Sequence, residues 1–132
     1  MSIAEYIDHT NLKPTAIARD ITKLCNEAID YNFRAVCINP CQVALAVKQL
    51  ENTDTKIATV VGFPLGANDI VCKVHETRVA ISRGADEIDM VLNLGAFKNA
   101  EYVWARQEIE AVAAIAKDIK LKVIVEVCYL DQ

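Results

Sequence analysis

This sequence has no cluster of basic residues, and its formal net charge is −4. Surfaces that hold nucleic acid or anionic membranes need clustered Lys and Arg, so neither is an expected partner. No apolar run approaches the ~18 residues that a bilayer-spanning helix requires, and the opening residues lack a secretory-signal pattern. No C-x-x-C pair occurs among the five cysteines, which are odd in number and scattered through apolar segments. His9 and His75 lie near no ligand-spaced cysteine, which argues against a zinc site. Free cysteines in apolar surroundings suit a reducing compartment, so the chain reads as soluble and cytoplasmic. Both glycine-rich nucleotide fingerprints, G-x-G-x-x-G and G-x-x-x-x-G-K-[ST], are missing. Internal repeats, low-complexity tracts and linkers are missing too, and 132 residues make one domain.

What is present is a recurring pattern. Four short apolar, β-branched runs occur at Arg34–Ile38, Lys56–Val61, Glu87–Leu92 and Lys122–Val127. Their near-continuous apolarity predicts strands buried on both faces, as in a parallel sheet. Helical spacing fills the gaps. Ile17, Ile21, Leu24, Cys25, Ala28 and Ile29 follow an i, i+4, i+7, i+8 pattern. Asn39-Pro40 reads as a cap with proline opening a helix through Leu50. Asn68-Asp69 opens a third helix that Gly84 stops, and a fourth runs from about Ala100 to Lys117 with Val103, Trp104, Ile109 and Val112 on its apolar side. Alternation of this kind demands parallel strands with right-handed crossovers. Two architectures fit the pattern: a small open doubly wound sheet, or part of a (β/α)8 barrel.

In both, ligands bind at the carboxyl ends of the strands. Asp89 is the sharpest candidate there, because a carboxylate inside Ile88-Asp89-Met90-Val91-Leu92 is costly unless paired. It is either a perturbed acid–base group or the partner of a structural cation or amide. Glu126 reads as a structural carboxylate in the last strand. Cys37 reads as a core or pocket-wall residue and Asn39 as a helix cap. The Asp8-His9-Thr10 run reads as a solvated loop, and His75 as an exposed helical histidine. A Schiff-base lysine needs a depressed pKa in an apolar strand end. Lys56 and Lys122 fall at the amino ends of their strands, and Lys98 lies in a loop with exposed neighbours, so no lysine here reads as a nucleophile.

Five stretches resemble a known family in its own order and spacing: Ile7-Asp8-His9-Thr10-Asn11-Leu12-Lys13-Pro14, Val36 to Pro40, Ala58 to Gly66, Gly84 to Asn93, and Leu121 to Glu126. They resemble the deoxyribose-phosphate aldolases, and they cover the whole chain. The resemblance implies a class I aldolase on a (β/α)8 barrel. Such an enzyme reversibly joins acetaldehyde and glyceraldehyde 3-phosphate into 2-deoxyribose 5-phosphate, with no metal or cofactor. It further implies that Asp89 is the acid–base aspartate, that Asp8 and Thr10 belong to the polar network at the substrate mouth, and that Cys37 lines the pocket.

The family's nucleophilic lysine belongs to a K-T-S-T-G-like sequence on about the sixth strand, and a second lysine and the phosphate-binding loops come later still. The resemblance thus implies that residues 1–132 are one N-terminal half-barrel of four strands, closing on Cys128-Tyr129-Leu130-Asp131-Gln132. Expected small-molecule partners are an aldehyde or a sugar phosphate. With the first and fourth strands as open edges, the half is expected to pair with a second copy, as a homodimer, or with a complementary half-barrel. Two functional readings follow: an enzyme component that is inactive alone, or a non-catalytic, self-associating remnant or scaffold.

Overall fold

Three of the four apolar runs become strands buried on both faces, while the fourth gives a partly exposed edge strand. A computed structural model describes residues 2–130. In it, β2 (Ala35–Ile38) and β4 (Glu87–Val91) are buried at every position, and β3 (Lys56–Val61) at every position after Lys56. Two further strands flank them, β1 (Asp8–Asn11) and β5 (Lys120–Ile124). All pairings are parallel, in the order β1-β2-β3-β4-β5.

That order decides the architecture. A doubly wound sheet reverses its strand order at a switch point, whereas here every strand pairs with its successor, as in a barrel wall. The chain is the front half of a (β/α)8 barrel, with five strands rather than four. The additional strand is β1, expected to be a solvated loop because its sequence, Asp-His-Thr-Asn, is wholly polar. Edge position explains the difference. β1 has one neighbour, β2, and its polar side chains find partners: Arg34 and Lys122 for Asp8, Glu27 for His9. Backbone pairing therefore makes a strand where side-chain apolarity gave no sign of one.

The helices pack on one side only. α1 (Ala18–Asp30) buries Ile21, Leu24, Cys25 and Ala28. After a 3-10 turn at Pro40–Gln42, α2 (Val43–Gln49) buries Val43 and Ala46. The proline thus starts a 3-10 turn rather than the α-helix, and Asn39 makes no side-chain cap bond. α3 (Ile70–Ser82) starts where the Asp69 carboxylate accepts from the Val71 amide at 2.9 Å. Gly84, at φ +100°, supplies the left-handed turn that ends this segment. A short α4 (Leu94–Lys98) precedes α5 (Tyr102–Ile115). The apolar side expected for α5 is rotated: Val103 is 72% and Trp104 50% exposed, while Ala105, Glu108 and Val112 are buried. Glu108 can face inward because a buried lysine, Lys73 of α3, meets it.

The outer sheet face joins these helices in the main core, built on Val36, Ile38, Ile57, Val61, Ile88 and Met90. The inner face carries a smaller apolar cluster of Cys37, Ala58 and Val60, with Leu12, Phe63 and Ile124 against it. β1 and β5 are the edges of the described sheet. β5 ends before Glu126, which turns out of the strand at φ +44°. The edge is therefore Lys-Leu-Lys-Val-Ile, which begins two residues before the Lys122–Val127 run read from the sequence and ends three residues before its end. Of the closing stretch, Asp131 and Gln132 lie outside the described residues.

Candidate functional site

Side chains along a strand alternate between faces, so strand register decides which polar groups meet. Val60 pairs with Asp89, and Asp89 with Lys122; Ala58 pairs with Glu87, and Glu87 with Lys120. Ala58 and Val60 belong to the inner cluster, so Glu87, Asp89, Lys120 and Lys122 share the inner face with Cys37. Asp8 joins them from β1 and Arg34 from the residue before β2.

Lys122 stands at the centre of this cluster. Its Nζ lies 2.5 Å from Asp8 Oδ2, 3.1 Å from Glu87 Oε2 and 3.1 Å from Asp89 Oδ1. The Asp89 contact is an ion pair without hydrogen-bond alignment, since Oδ1 accepts no directed bond. Arg34 donates from Nη1 to Asp8 Oδ1 at 2.8 Å and from Nη2 to Glu87, so one guanidinium bridges two strands. Lys120 is a third cation beside Glu87, at 3.6 Å. The expectation that Lys122 lies at the amino end of its strand is corrected here. β5 starts two residues earlier than its apolarity suggested, which puts Lys122 mid-strand.

The electrostatics separate the two aspartates. Burial alone would raise both. At Asp8 it is outweighed by the hydrogen bond and charge of Lys122, with Arg34 adding to them, so the carboxyl sits below its ordinary value of 3.8. At Asp89 burial prevails over the Lys122 charge, and its carboxyl is held above 3.8. Cys37 donates from Sγ to Asp89 Oδ2 at 3.7 Å; burial first, and the Asp89 charge second, push its thiol up to about 12. That thiol is a neutral donor, not a nucleophile. Lys122, despite its burial, is pushed above its ordinary value by Asp8 and Asp89. It holds its proton.

Of the residues singled out from sequence, Asp8, Cys37 and Asp89 converge through Lys122 and the Cys37 thiol. Thr10 does not join them directly. It is exposed, and its hydroxyl donates to the Asp8 carbonyl at 2.8 Å. His75 is exposed on α3, as its neighbours suggested, and Asn39 Nδ2 donates weakly to the Lys13 carbonyl at 3.4 Å. Sequence reasoning missed Arg34, Glu87 and Lys122. The signal for Arg34 and Glu87 was their place as the polar first residues of apolar runs, Glu87 standing two steps before the inward-facing Asp89. Among the described residues, no group of three or more His, Cys, Asp or Glu side chains is placed to hold a metal ion, and no helix is long and apolar enough to cross a membrane.

Comparison with known proteins sets this geometry in context. A deoxyribose-phosphate aldolase from Thermococcus gammatolerans is 53% identical over all of this chain, which spans 60% of that protein. One from Treponema denticola is 47% identical, with 62% of its length matched. Among solved structures, a putative deoxyribose-phosphate aldolase from Coccidioides immitis superposes with a TM-score of 0.96 at 40% identity, covering 98% of this chain and 51% of that one. The tetrameric deoxyribose phosphate aldolase of Aeropyrum pernix gives 0.88 at 31% identity, covering 98% and 54%. The chain thus spans 51–62% of the length of these relatives. Residues 2–132 match the model of the DeoC/LacD family aldolases, and the chain belongs to that family.

Proposed function

We propose that this chain supplies the proton-handling wall of a deoxyribose-phosphate aldolase site, which cleaves 2-deoxy-D-ribose 5-phosphate to glyceraldehyde 3-phosphate and acetaldehyde. The observation that carries this reading is Asp89: buried on the inner face, bonded by Cys37, and held above the ordinary carboxylate range. A carboxyl tuned upward holds its proton more readily than an ordinary one, and so can give it and take it back. In a Schiff-base aldolase such a group protonates the departing hydroxyl of a carbinolamine, so that water leaves and the imine forms. In the reverse, joining direction the same group, as carboxylate, withdraws the α-proton of the acetaldehyde imine to give the enamine. Asp8 and Lys122 are the fixed charges around it, Cys37 forms the pocket wall, and Thr10 stands toward the substrate mouth.

The amine that captures the carbonyl is not, on this reading, one of the nine lysines here. Lys122 is held protonated among three carboxylates, Lys73 is fully buried in an ion pair, and the other seven are exposed. Free amine is needed for attack, and an exposed lysine near pH 7 offers little. The 132-residue polypeptide alone therefore forms no imine. Borohydride trapping with acetaldehyde, read by intact mass, tests this: no adduct is expected, and a stoichiometric adduct on any lysine would refute it. In a polypeptide that also carries the rest of the barrel, Asp89→Asn is expected to lower kcat by about 10²–10⁴. Retention of full activity by that variant would remove Asp89 from the chemistry.

The second reading, a self-associating half-barrel without catalysis, has one observation in its favour. Both edge strands, β1 and β5, lack a partner on one side within the described sheet. The trapping experiment, repeated with a complementary half added, separates the two.

A further inference from the structure

The inner-face cluster leaves one buried charge unused. Lys73, on α3, is 0% exposed, and its Nζ donates to three acceptors: the Gly66 carbonyl at 2.7 Å, the Val91 carbonyl at 2.9 Å and Glu108 Oε2 at 2.8 Å. An ammonium has three hydrogens, so this one is saturated. Its acceptors come from three separate segments: the loop after β3, the last residue of β4, and α5.

The loop Gly62–Gly66 is shaped around this side chain. Gly62 sits at φ +64°, and a Cβ there would lie 2.7 Å from Lys73 Cε. Its amide donates to Glu76 Oε2 at 2.8 Å, one turn further along α3. Gly66, at φ +66°, closes the loop by donating a hydrogen bond from its N–H to the Gly62 carbonyl at 2.7 Å. A Cβ on Gly66 would fall 2.0 Å from the Leu92 carbonyl, so the loop lies directly on the carboxyl end of β4. That end belongs to the strand that carries Asp89.

Stability does not explain a lysine here. An apolar pair of similar volume commonly equals or exceeds a buried ion pair, because desolvation offsets the attraction. What an apolar pair cannot do is donate to two carbonyls from different segments. We infer that Lys73 is a positioning residue for the site: it ties the Gly62–Gly66 loop to the end of β4, with Glu108 holding its ammonium in place. The loop's place at the substrate mouth rests on the aldolase reading; the tie itself does not.

Amide hydrogen exchange on the 132-residue chain tests the tie. The charge-neutral double variant Lys73→Met/Glu108→Leu is expected to lose about tenfold or more protection at Gly66 and Leu92, while Val36 to Ile38 in β2 change little. Glu108→Gln, which keeps an acceptor for the ammonium, is expected to show no such local loss. If the double variant is unfolded, Gly62→Ala displaces the lysine stem without removing a charge, and the same local loss is expected. Protection falling equally at β2 and at the loop, or not at all, overturns the proposal.

A second arm reads positioning rather than packing. In a preparation with the complete barrel that is active when unsubstituted, the double variant is expected to lose about tenfold in kcat/KM, chiefly through KM, with Glu108→Gln close to the parent. Unchanged kinetics despite a loosened loop overturns the positioning role. An unsubstituted preparation that cleaves no deoxyribose 5-phosphate refutes the aldolase reading instead, and the exchange result still decides the tie.

Discussion

Asp8 and Asp89 lie within reach of the same ammonium and respond to it oppositely. Asp8 is depressed below 3.8, so its pairing stabilises the fold above the unfolded carboxyl's titration range and is lost as pH falls through the folded value. Asp89 is raised, so its contribution is present below 3.8 and disappears as pH climbs through its folded value. Chemical denaturation across acid pH is expected to show the two signs. Asp8→Asn flattens the acid loss of stability, and Asp89→Asn gains stability relative to the parent as pH rises toward neutral. Identical pH profiles for the two variants would contradict the assignment. Removing their shared partner is harsher. Lys122→Met leaves three carboxylates with Arg34 and Lys120, and about 2 kcal/mol of stability is expected to go, less than for a fully buried pair because Lys122 is 33% exposed. Urea titration gives the number. Asp89 was legible in the sequence because a carboxylate inside an apolar run is conspicuous. Lys122 was not, because its meaning depends on where β5 begins, and backbone pairing sets that.

At the scale of elements, what could be read was what apolar spacing encodes. β2, β3 and β4 are buried almost throughout and so announce themselves, and α1 shows its inward stripe. β1 is four polar residues whose strand character comes from pairing with β2, a relation between segments about 27 residues apart. α5 misled because its inward face includes Glu108, whose partner Lys73 lies 35 positions earlier. Long-range pairs of this kind leave no local trace. The loop after β3 offers a sharp test of packing at this scale. Gly66→Ala must place a methyl 2.0 Å from the Leu92 carbonyl at a φ that favours glycine, and is expected to destabilise by about 2 kcal/mol or more. An unchanged denaturation midpoint would show that the loop relaxes away from β4.

For the molecule as a whole, the five-stranded sheet leaves β1 and β5 as edges, and Val125, Val127 and Tyr129, just past β5, are exposed. Exposed apolar side chains beside strand edges with free backbone groups favour association. Light scattering on the 132-residue polypeptide at micromolar concentration is expected to show a dimer or larger species, and a monodisperse monomer would contradict that.

The strand order has a consequence for how the molecule is made. Each strand lies beside the one synthesised just before it, so no strand waits for a distant segment to complete its first ladder. A ribosome delivering this chain releases the strands one by one onto a growing wall, and each helix can settle as soon as its own strand is home. Such a wall grows like masonry, course upon course, and keeps its newest edge free for whatever comes next.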